Sequence, residues 1–373
     1  MTESTPRLSS VSLRVPNAKI DGLKRFYTKV LGMSNVLCWD PEEDIEQFVI
    51  PQHHPKYPEC LQKHNSVDLK FISKPSLGPY NASKNDLYWK IGLAINDVNA
   101  AVDTINEARE AFKDSMITDA SIQHGKQFLD IGFLTHLNDP CGFSIELLQT
   151  TFEQNNEIRK QLIKDVIKEE DQIISKLKVR QPTKRNKSPS GNKPSLLSSQ
   201  PFVIGQITTR ISNPEKSLEF YTKVLKMKLL SIQEVKEYKF TLYFLGYTSD
   251  DPPNKDDLKH VDNREWLWQR KYTTLELQWR WDSNALTQTK EDSAGLDCIE
   301  IEIDRKDQNN SSGLLNVLKK DSQFYSSKTE SSNVSLDGCS TSVYGSIIDP
   351  DGLRIKIISK APENDSDDAP YNA

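Results

Sequence analysis

The hexapeptide Phe-Tyr-Thr-Lys-Val-Leu occurs twice in the chain, at Phe26–Leu31 and again at Phe220–Leu225. Each copy follows a segment with the alternating pattern of a strand, and a methionine, Met33 or Met227, comes shortly after each. Self-similarity of this kind indicates a duplicated structural unit. The sequence therefore predicts two related domains, each containing one copy of the hexapeptide.

The hydrophobic periodicity around both copies predicts an α+β fold. Residues 8–15 alternate as in a half-buried strand, and Gly22–Met33 has the apolar spacing of an amphipathic helix that ends at a glycine. A strand at Tyr88–Ile95 begins a second unit, and Asp-Pro-x-Gly turns at Asp139–Gly142 and Asp349–Gly352 precede the last strand of their units. We predict four βαβββ units that form two domains in tandem.

Changes in composition predict the domain boundaries. The first domain is predicted at 8–150 and the second at 201–360. Between them, 151–200 contains a charged helical pattern followed by a linker rich in Pro, Ser, Lys and Asn, which we predict to be disordered. An Asn- and Ser-rich insertion near 304–337 and an acidic tail at 361–373 are predicted to be disordered as well.

Length, composition and charge exclude several classes of protein. The 373 residues carry a formal net charge of −5, which gives no reason to expect binding to nucleic acid. No apolar run approaches the roughly 18 residues of a membrane span, and the N-terminal residues do not resemble a targeting signal. The five cysteines form no CxxC pair and indicate reduced thiols, so we expect a cytoplasmic protein without membrane or nucleic-acid partners.

The motifs of the chain, most of which lie in the second half, are specific enough to indicate a family. They comprise the two Asp-Pro-x-Gly turns together with Gly205–Arg210, Ser217–Tyr221, Lys239–Leu245 and Thr274–Leu277. With four βαβββ units, these motifs resemble the vicinal oxygen chelate superfamily (glyoxalase, bleomycin resistance protein and dioxygenase). Within it they resemble the two-domain, fungal-type glyoxalase I, or lactoylglutathione lyase. The resemblance covers most of 8–150 and 201–358.

The resemblance implies a Zn²⁺ enzyme, or one with another divalent metal, that acts on the hemithioacetal of glutathione and methylglyoxal. Moving a proton between adjacent carbons beside a carbonyl passes through an enediolate, whose charge a chelating metal can stabilise. A carboxylate then carries the proton from one carbon to the other. In the family each unit supplies one metal ligand, and each site of a two-domain member is shared between the halves.

Two sets of site residues follow from this resemblance. The first set is Gln206, Glu276, Lys90 and Glu146, and the second is Ser10, Asp68, Cys298 and Lys356. In the first set, Gln206, Glu276 and Glu146 match metal ligands and Glu146 matches the catalytic base, while Lys90 stands at the fourth position. The second set is interpreted as degenerate. None of the six histidines falls at a ligand position.

Several alternatives to these assignments stay open. Lys90 can instead form an ion pair with Glu146 or Glu276 and replace the metal structurally. If each half closed its own site, Gln206 and Glu276 would meet Cys298.

Arg210 and Arg14 match the arginine that the family uses to bind glutathione, and a guanidinium suits a carboxylate.

Other residues depart from the family's glutathione-binding pattern. Arg280 stands where an Asn is expected, and Ala294 and Asp86 stand where an Arg is expected.

Two functions therefore compete. The first is a glyoxalase-I-like lyase with at most one working site, and the second is a catalytically inactive paralogue that serves as a metal-free binding or regulatory protein. An iron dioxygenase on the same fold would need two histidines and a glutamate, which the absence of a correctly placed histidine argues against. Because the single chain contains four units, we expect a monomer.

Overall fold

The computed structural model does not describe every residue of the chain. The charged helix and most of the linker predicted within 151–200, most of the insertion near 304–337 and the tail at 361–373 lie outside the described residues. The described residues are 6–39, 44–49, 67–75, 77–78, 80, 83–111, 121–152, 195–282, 286–287, 290, 292–303, 325–326, 333–336 and 339–360.

The described strands and helices follow one another as four related units. The first unit contains β1 (Arg7–Pro16), α1 (Ile20–Arg25), β2 (Ser34–Trp39), β3 (Asp44–Val49) and β4 (Asp68–Lys74). The second contains β5 (Tyr88–Ile95), α2 (Val98–Ala111), β6 (Lys126–Phe128), β7 (Gly132–Asn138) and β8 (Ser144–Gln149).

The second half repeats this order after a short helix, α3 (Leu196–Ser199). The third unit contains β9 (Phe202–Ile211), α4 (Pro214–Glu219), β10 (Lys228–Val235), β11 (Phe240–Gly246), α5 (Asp262–Trp268) and β12 (Thr274–Arg280). The fourth contains β13 (Gly295–Glu302), β14 (Tyr325–Ser326), β15 (Asn333–Leu336), β16 (Cys339–Ile348) and β17 (Arg354–Lys360). The predicted α+β fold is confirmed.

Each of the two sheets combines strands from both halves of the sequence. The first sheet has the order β10-β11-β12-β9-β5-β8-β7-β6 and joins the second and third units. The second sheet has the order β14-β16-β17-β13-β1-β4-β3-β2, with β15 paired to β16, and joins the first and fourth units. The antiparallel pairs β5–β9 and β1–β13 connect the units. The domain bounds 8–150 and 201–360 follow the sequence repeat and stay a prediction. Each sheet contains strands from both of these ranges.

The hexapeptide differs locally from the predicted amphipathic helix. Both copies continue an α-helical turn as a π-helical turn, at Phe26–Leu31 and at Phe220–Val224. Gly32 ends the first copy with a φ of 85°, a conformation that a glycine adopts without strain. The adjacent Phe26 and Tyr27 are both buried. The repeat therefore forms a packing element with two neighbouring aromatic side chains in the core.

The two sequence repeats, the hexapeptide and the Asp-Pro-x-Gly turn, contact each other. The Tyr27 hydroxyl donates a hydrogen bond to Asp139 Oδ2 at 3.1 Å, and the Tyr221 hydroxyl donates one to Asp349 Oδ2 at 2.8 Å. The other oxygen of each aspartate accepts backbone N–H groups of its own turn. Burial raises the pKa of Asp139 to about 7 and that of Asp349 to about 6. These tyrosine–aspartate contacts join the two units of one half, whereas the sheets join units of opposite halves.

Removing one of these contacts is expected to destabilise the fold. Tyr221→Phe and Tyr27→Phe should each lower the free energy of unfolding by about 1–2 kcal/mol, because a buried carboxyl group loses a donor. Urea denaturation of each variant measures this loss. Tyr238→Phe is the control, since Tyr238 is 61% exposed and its change should cost nothing measurable. Equal stabilities of all three variants would contradict a structural role for the contacts.

The end of the predicted linker is folded. Ser195 caps α3 by accepting a hydrogen bond from the Ser198 backbone N–H, and Leu196 and Leu197 are buried. Gln200 binds the backbone of Asp97 through both atoms of its amide. The prediction of disorder up to residue 200 is therefore wrong for 195–200. Leu196 and Leu197 bury apolar surface there, but the polar residues around them dominate the composition on which the prediction was based. Within the described residues no helix has the length and apolar character needed to cross a membrane.

Candidate active site

The first sheet curves so that its two end strands approach each other. The Phe128 ring at one end lies 5.3 Å from the Tyr238 ring at the other, measured between centroids. Trp268 of α5 donates its indole N–H to the Ile131 carbonyl oxygen at 2.8 Å and packs beside both ends. The concave side of this sheet, called the first interior below, therefore collects side chains from all eight strands.

Alternation along the strands decides which side chains enter the first interior. Leu275 and Leu277 belong to the main core between sheet and helices, so Glu276 between them points to the opposite side. The same alternation applies to Glu146, which lies between Ile145 and Leu147. Register places Glu276 beside Thr208 on β9.

Lys90 forms the centre of a buried charged cluster in the first interior. Its Nζ lies 2.6 Å from Glu146 Oε2 and 3.7 Å from Glu276 Oε2. The three side chains are 5% exposed or less, so the ion pairs are shielded from water. The Nζ also lies 4.4 Å from the centroid of the Trp89 ring, within the range of a cation–π contact.

Gln206 and Thr208 complete the hydrogen bonds of this cluster. Gln206 donates through Nε2 to Glu146 Oε1 at 2.8 Å, and Thr208 donates through its hydroxyl to Glu276 Oε2 at 2.7 Å. Gly92 leaves room for the Gln206 side chain, because a Cβ at Gly92 would lie 2.4 Å from Gln206 Cγ. The structure thus brings all four members of the first predicted set together.

His136 joins the site, although sequence reasoning did not select it. Its Nε2 lies 3.1 Å from Glu146 Oε2, and its side chain is 42% exposed. His136 and Glu146 face each other in the antiparallel pair β7–β8. The Asp139–Gly142 turn fixes that register, so counting back from the turn would have found the histidine.

The charges of the cluster determine the protonation of its members. Burial acts to lower the pKa of Lys90, but Glu146 and Glu276 outweigh it and raise that pKa above its ordinary value. Burial acts to raise the pKa of Glu146, but Lys90 and His136 outweigh it and hold the pKa at about 2. Burial, only partly offset by Lys90, raises the pKa of Glu276. Lys90 is therefore an ammonium and Glu146 a carboxylate at neutral pH.

As folded, these residues do not fit a divalent metal ion. The Lys90 ammonium lies between the two carboxylates that would have to bind the metal, and an ammonium has no lone pair to offer. Within the described part of the chain, no group of three or more His, Cys, Asp and Glu side chains is arranged to hold a metal. The expectation that Gln206, Glu276 and Glu146 bind Zn²⁺ thus conflicts with the positive charge already among them.

Arg210, expected to bind glutathione, makes several contacts within the protein. Its Nε donates to Gln278 Oε1 at 3.1 Å, and its Nη1 donates to the carbonyl oxygens of Ser83, Asp86 and Tyr88. Burial lowers the pKa of Arg210 to about 10. The guanidinium thus holds 83–88 against β9.

The second predicted set lies in the second sheet, where the charges are reversed. Lys70 pairs with Ser12 as Glu276 pairs with Thr208, so Lys70 rather than Asp68 stands at the position equivalent to Glu276. The prediction that Asp68 corresponds to Glu276 is therefore wrong by two residues. The register of a parallel strand pair cannot be read from the sequence of a single strand. Lys70 Nζ lies 2.7 Å from Glu300 Oε2.

Within the described residues, the remaining members of the second set belong to no cluster of side chains arranged to hold a metal. Burial raises the pKa of the Cys298 thiol to about 12, so it remains protonated at neutral pH. Cys298 and Glu300, with their acidic neighbour Asp297, raise the pKa of Lys356. Arg14 Nε lies 3.7 Å from Asp297 Oδ1, which also contacts Arg354. Because Cys298 lies in β13 of the second sheet, the alternative grouping of Cys298 with Gln206 and Glu276 is not formed.

Fold and site together describe a class of protein: four related units, joined in pairs into two sheets, with a buried charged cluster inside the first sheet. Glyoxalase I from Zea mays has the same fold, with a TM-score of 0.52 and 16% identity over 95% of this chain and 92% of that one. No protein-family model matches the chain.

Glyoxalase I and lactoylglutathione lyase are also relatives by sequence. The chain is 33% identical over 87 residues to lactoylglutathione lyase of Pseudomonas aeruginosa, covering 23% of this chain and 47% of that one. It is 66% identical over 38 residues to glyoxalase I of Saccharomyces cerevisiae, covering 10% and 12%. The matched segments thus span less than half the length of these relatives.

Proposed function

We propose that the chain is a glyoxalase-I-like lyase with at most one working site, which converts the hemithioacetal of glutathione and methylglyoxal to S-lactoylglutathione. The single observation that carries the proposal is the convergence of Gln206, Glu276 and Glu146 around Lys90 in the first interior. By sequence resemblance, these three residues match ligands of the family and Glu146 matches its base. Sequence relatives named lactoylglutathione lyase support the same assignment. The substrate is a small molecule, and we propose a cytoplasmic monomer.

The proton transfer is assigned to this chain's own side chains. Glu146 removes the proton from the carbon that bears sulfur and returns it to the adjacent carbon, while the hydroxyl proton on the first carbon passes to the oxygen of the second. These two transfers leave Glu146 unchanged and form the thioester. The Lys90 ammonium lies beside Glu146 and stabilises the negative charge of the enediolate oxygens. Gln206 orients Glu146 through its amide.

This arrangement makes turnover slow. A carboxylate whose pKa is about 2 is a weak base, because proton abstraction becomes less favourable as the pKa of the base falls. An ammonium also brings one positive charge where a divalent metal brings two. We therefore expect turnover well below that of a metal-containing lyase.

A second candidate is a metal-free binding protein without catalysis. The observation that favours it is the Lys90–Glu146 ion pair, which engages the proposed base at 2.6 Å before any substrate arrives. Such a protein would bind glutathione conjugates but would form no S-lactoylglutathione. The two candidates are separated by an assay of lactoylglutathione formation with the purified full chain.

The roles of the two sheets lead to a paired prediction. Glu146→Gln is expected to abolish turnover, since the amide cannot accept the substrate proton, while Lys356→Ala in the second sheet should change turnover less than twofold. Initial rates of thioester formation test both variants, and their circular dichroism spectra check folding. Equal loss of activity in the two variants would mean that the working site has been assigned to the wrong sheet.

A further inference from the structure

Gln233 of β10 is a buried amide outside the charged cluster. The residue is 0% exposed, and neither its Nε2 nor its Oε1 has a hydrogen-bond partner among the described residues. Buried polar groups are almost always paired, so an unpaired amide in a folded chain needs an explanation. A glutamine at a fully buried strand position has two donors and an acceptor available to a ligand.

Strand register directs this amide into the first interior. Gln233 pairs with Leu242 on β11, and Leu242 pairs with Gln278 on β12. Leu242 belongs to the apolar cluster inside the curved sheet, which also contains Val235, two residues after Gln233 on the same strand. Because side chains two residues apart share a face, Gln233 points to the same side as Leu242 and Val235.

A second unpaired atom lies on this side of the charged cluster. Glu276 Oε1 is buried without a partner among the described residues, while its Oε2 accepts from Thr208. Glu276 is two residues from Gln278, in the strand that lies two strands from Gln233. The side of the first interior between Lys90 and β10 therefore presents an unpaired carboxylate oxygen and an unpaired amide, with Leu242 and Phe244 between them on β11.

We propose that Gln233 is a specificity-determining residue that selects α-oxoaldehydes with a hydroxylated substituent. This inference rests on the proposed lyase function. In the proposed binding mode, the reacting carbons lie at Lys90 and Glu146 and the substituent of the oxoaldehyde points towards the unpaired atoms of Glu276 and Gln233. A methyl group there would leave the Gln233 amide unpaired, whereas a hydroxymethyl group can both donate to and accept from it.

The test compares two substrates that differ by one hydroxyl group. Lactoylglutathione-type activity is measured with methylglyoxal and with hydroxymethylglyoxal, each with glutathione, for the full chain and for Gln233→Leu. The unmodified chain should prefer hydroxymethylglyoxal in kcat/KM by roughly tenfold, equivalent to about 1.4 kcal/mol. Gln233→Leu should lose or reverse that preference and should unfold at a higher temperature, because it removes an unpaired buried amide.

Gln200→Leu is the matched control, since both amide atoms of Gln200 are paired with the Asp97 backbone. It should keep the substrate preference and unfold at a lower temperature. If Gln233→Leu keeps the preference for hydroxymethylglyoxal, the inference about Gln233 is wrong, while the lyase proposal is unaffected. Absence of turnover with both aldehydes overturns the lyase proposal. The inference about Gln233 is then tested by calorimetric binding of the glutathione thioesters of glyceric acid and lactic acid. Equal affinities for the two thioesters would overturn it.

Discussion

Lys90→His is expected to convert the ammonium-centred cluster into a divalent metal site. The substitution removes the positive charge between Glu146 and Glu276 and adds an imidazole nitrogen, which completes a mixed nitrogen and oxygen donor set with Gln206. We expect the variant to bind one Zn²⁺ at least 100-fold more tightly than the unmodified chain. Lactoylglutathione formation should rise by roughly 10²-fold, the size of effect that one electrostatic stabiliser of a transition state produces. Calorimetric titration and metal analysis measure the first effect, and an initial-rate assay measures the second.

The second sheet offers a matched control for this gain of function. Cys298→His places an imidazole at the equivalent strand position, since Cys298 pairs with Ser12 as Lys90 pairs with Thr208. Lys70 and Lys356 stand there in place of the two glutamates, so this variant should gain no metal. Tight Zn²⁺ binding by both variants, or by neither, would refute the view that the residue at position 90 alone prevents metal binding in the first interior.

Lys90→Met is expected to cause the largest loss of stability of any single substitution at the site. Removing one partner of a buried ion pair leaves an uncompensated charge and typically costs about 3–5 kcal/mol. Here the ammonium balances two buried carboxylates, and methionine preserves most of the side-chain volume without the charge. Urea unfolding at pH 7 measures the loss.

The pH dependence of stability gives an independent check of this ion pair. Because the folded pKa of Glu146 is about 2, below its ordinary value of 4.5, its contribution is complete above pH 4.5 and is lost as the pH falls towards 2. That difference corresponds to roughly 3 kcal/mol. The raised pKa of Glu276 acts in the opposite sense and favours folding below pH 4.5. Lys90→Met should lose the Glu146-dependent decrease in stability on acidification.

Lys223→Met is the control for this experiment. Lys223 pairs with Glu219 at 3.1 Å, but the side chains are 74% and 60% exposed, so the pair should contribute less than about 0.5 kcal/mol. If Lys90→Met cost no more than Lys223→Met, the buried pair would not have the energetic role assigned to it.

The sequence predicted the fold because the duplicated pattern is encoded locally. The hexapeptide and the Asp-Pro-x-Gly turn mark corresponding places in each half, and their contact through Tyr27 and Asp139 explains why these motifs occur together. The π-helical turn within the hexapeptide was missed, since the apolar spacing of a π turn resembles that of an α-helix over so few residues. The buried residues of α3 were missed because they follow a polar linker.

The site was predicted in part, and the errors concern contacts between strands. Strand alternation correctly placed Glu146 and Glu276 on the side away from the main core, and the ion pair of Lys90 was an open alternative. His136 and Lys70 escaped prediction because each contributes through its partner on a neighbouring strand. The pairing of Lys70 depends on the register between strands distant in sequence, which single-strand patterns do not specify. The pairing of His136 follows from the Asp139–Gly142 turn and could have been found by counting back from it.

We propose that the Lys90 ammonium occupies the place that a catalytic metal would hold in a glyoxalase-type site. The most direct measurement is the rate of S-lactoylglutathione formation by the full chain after exhaustive chelation and again after addition of Zn²⁺, Ni²⁺ or Co²⁺. We expect slow turnover that is the same in all four preparations. Turnover that is absent after chelation and restored by any one of these ions would contradict the claim.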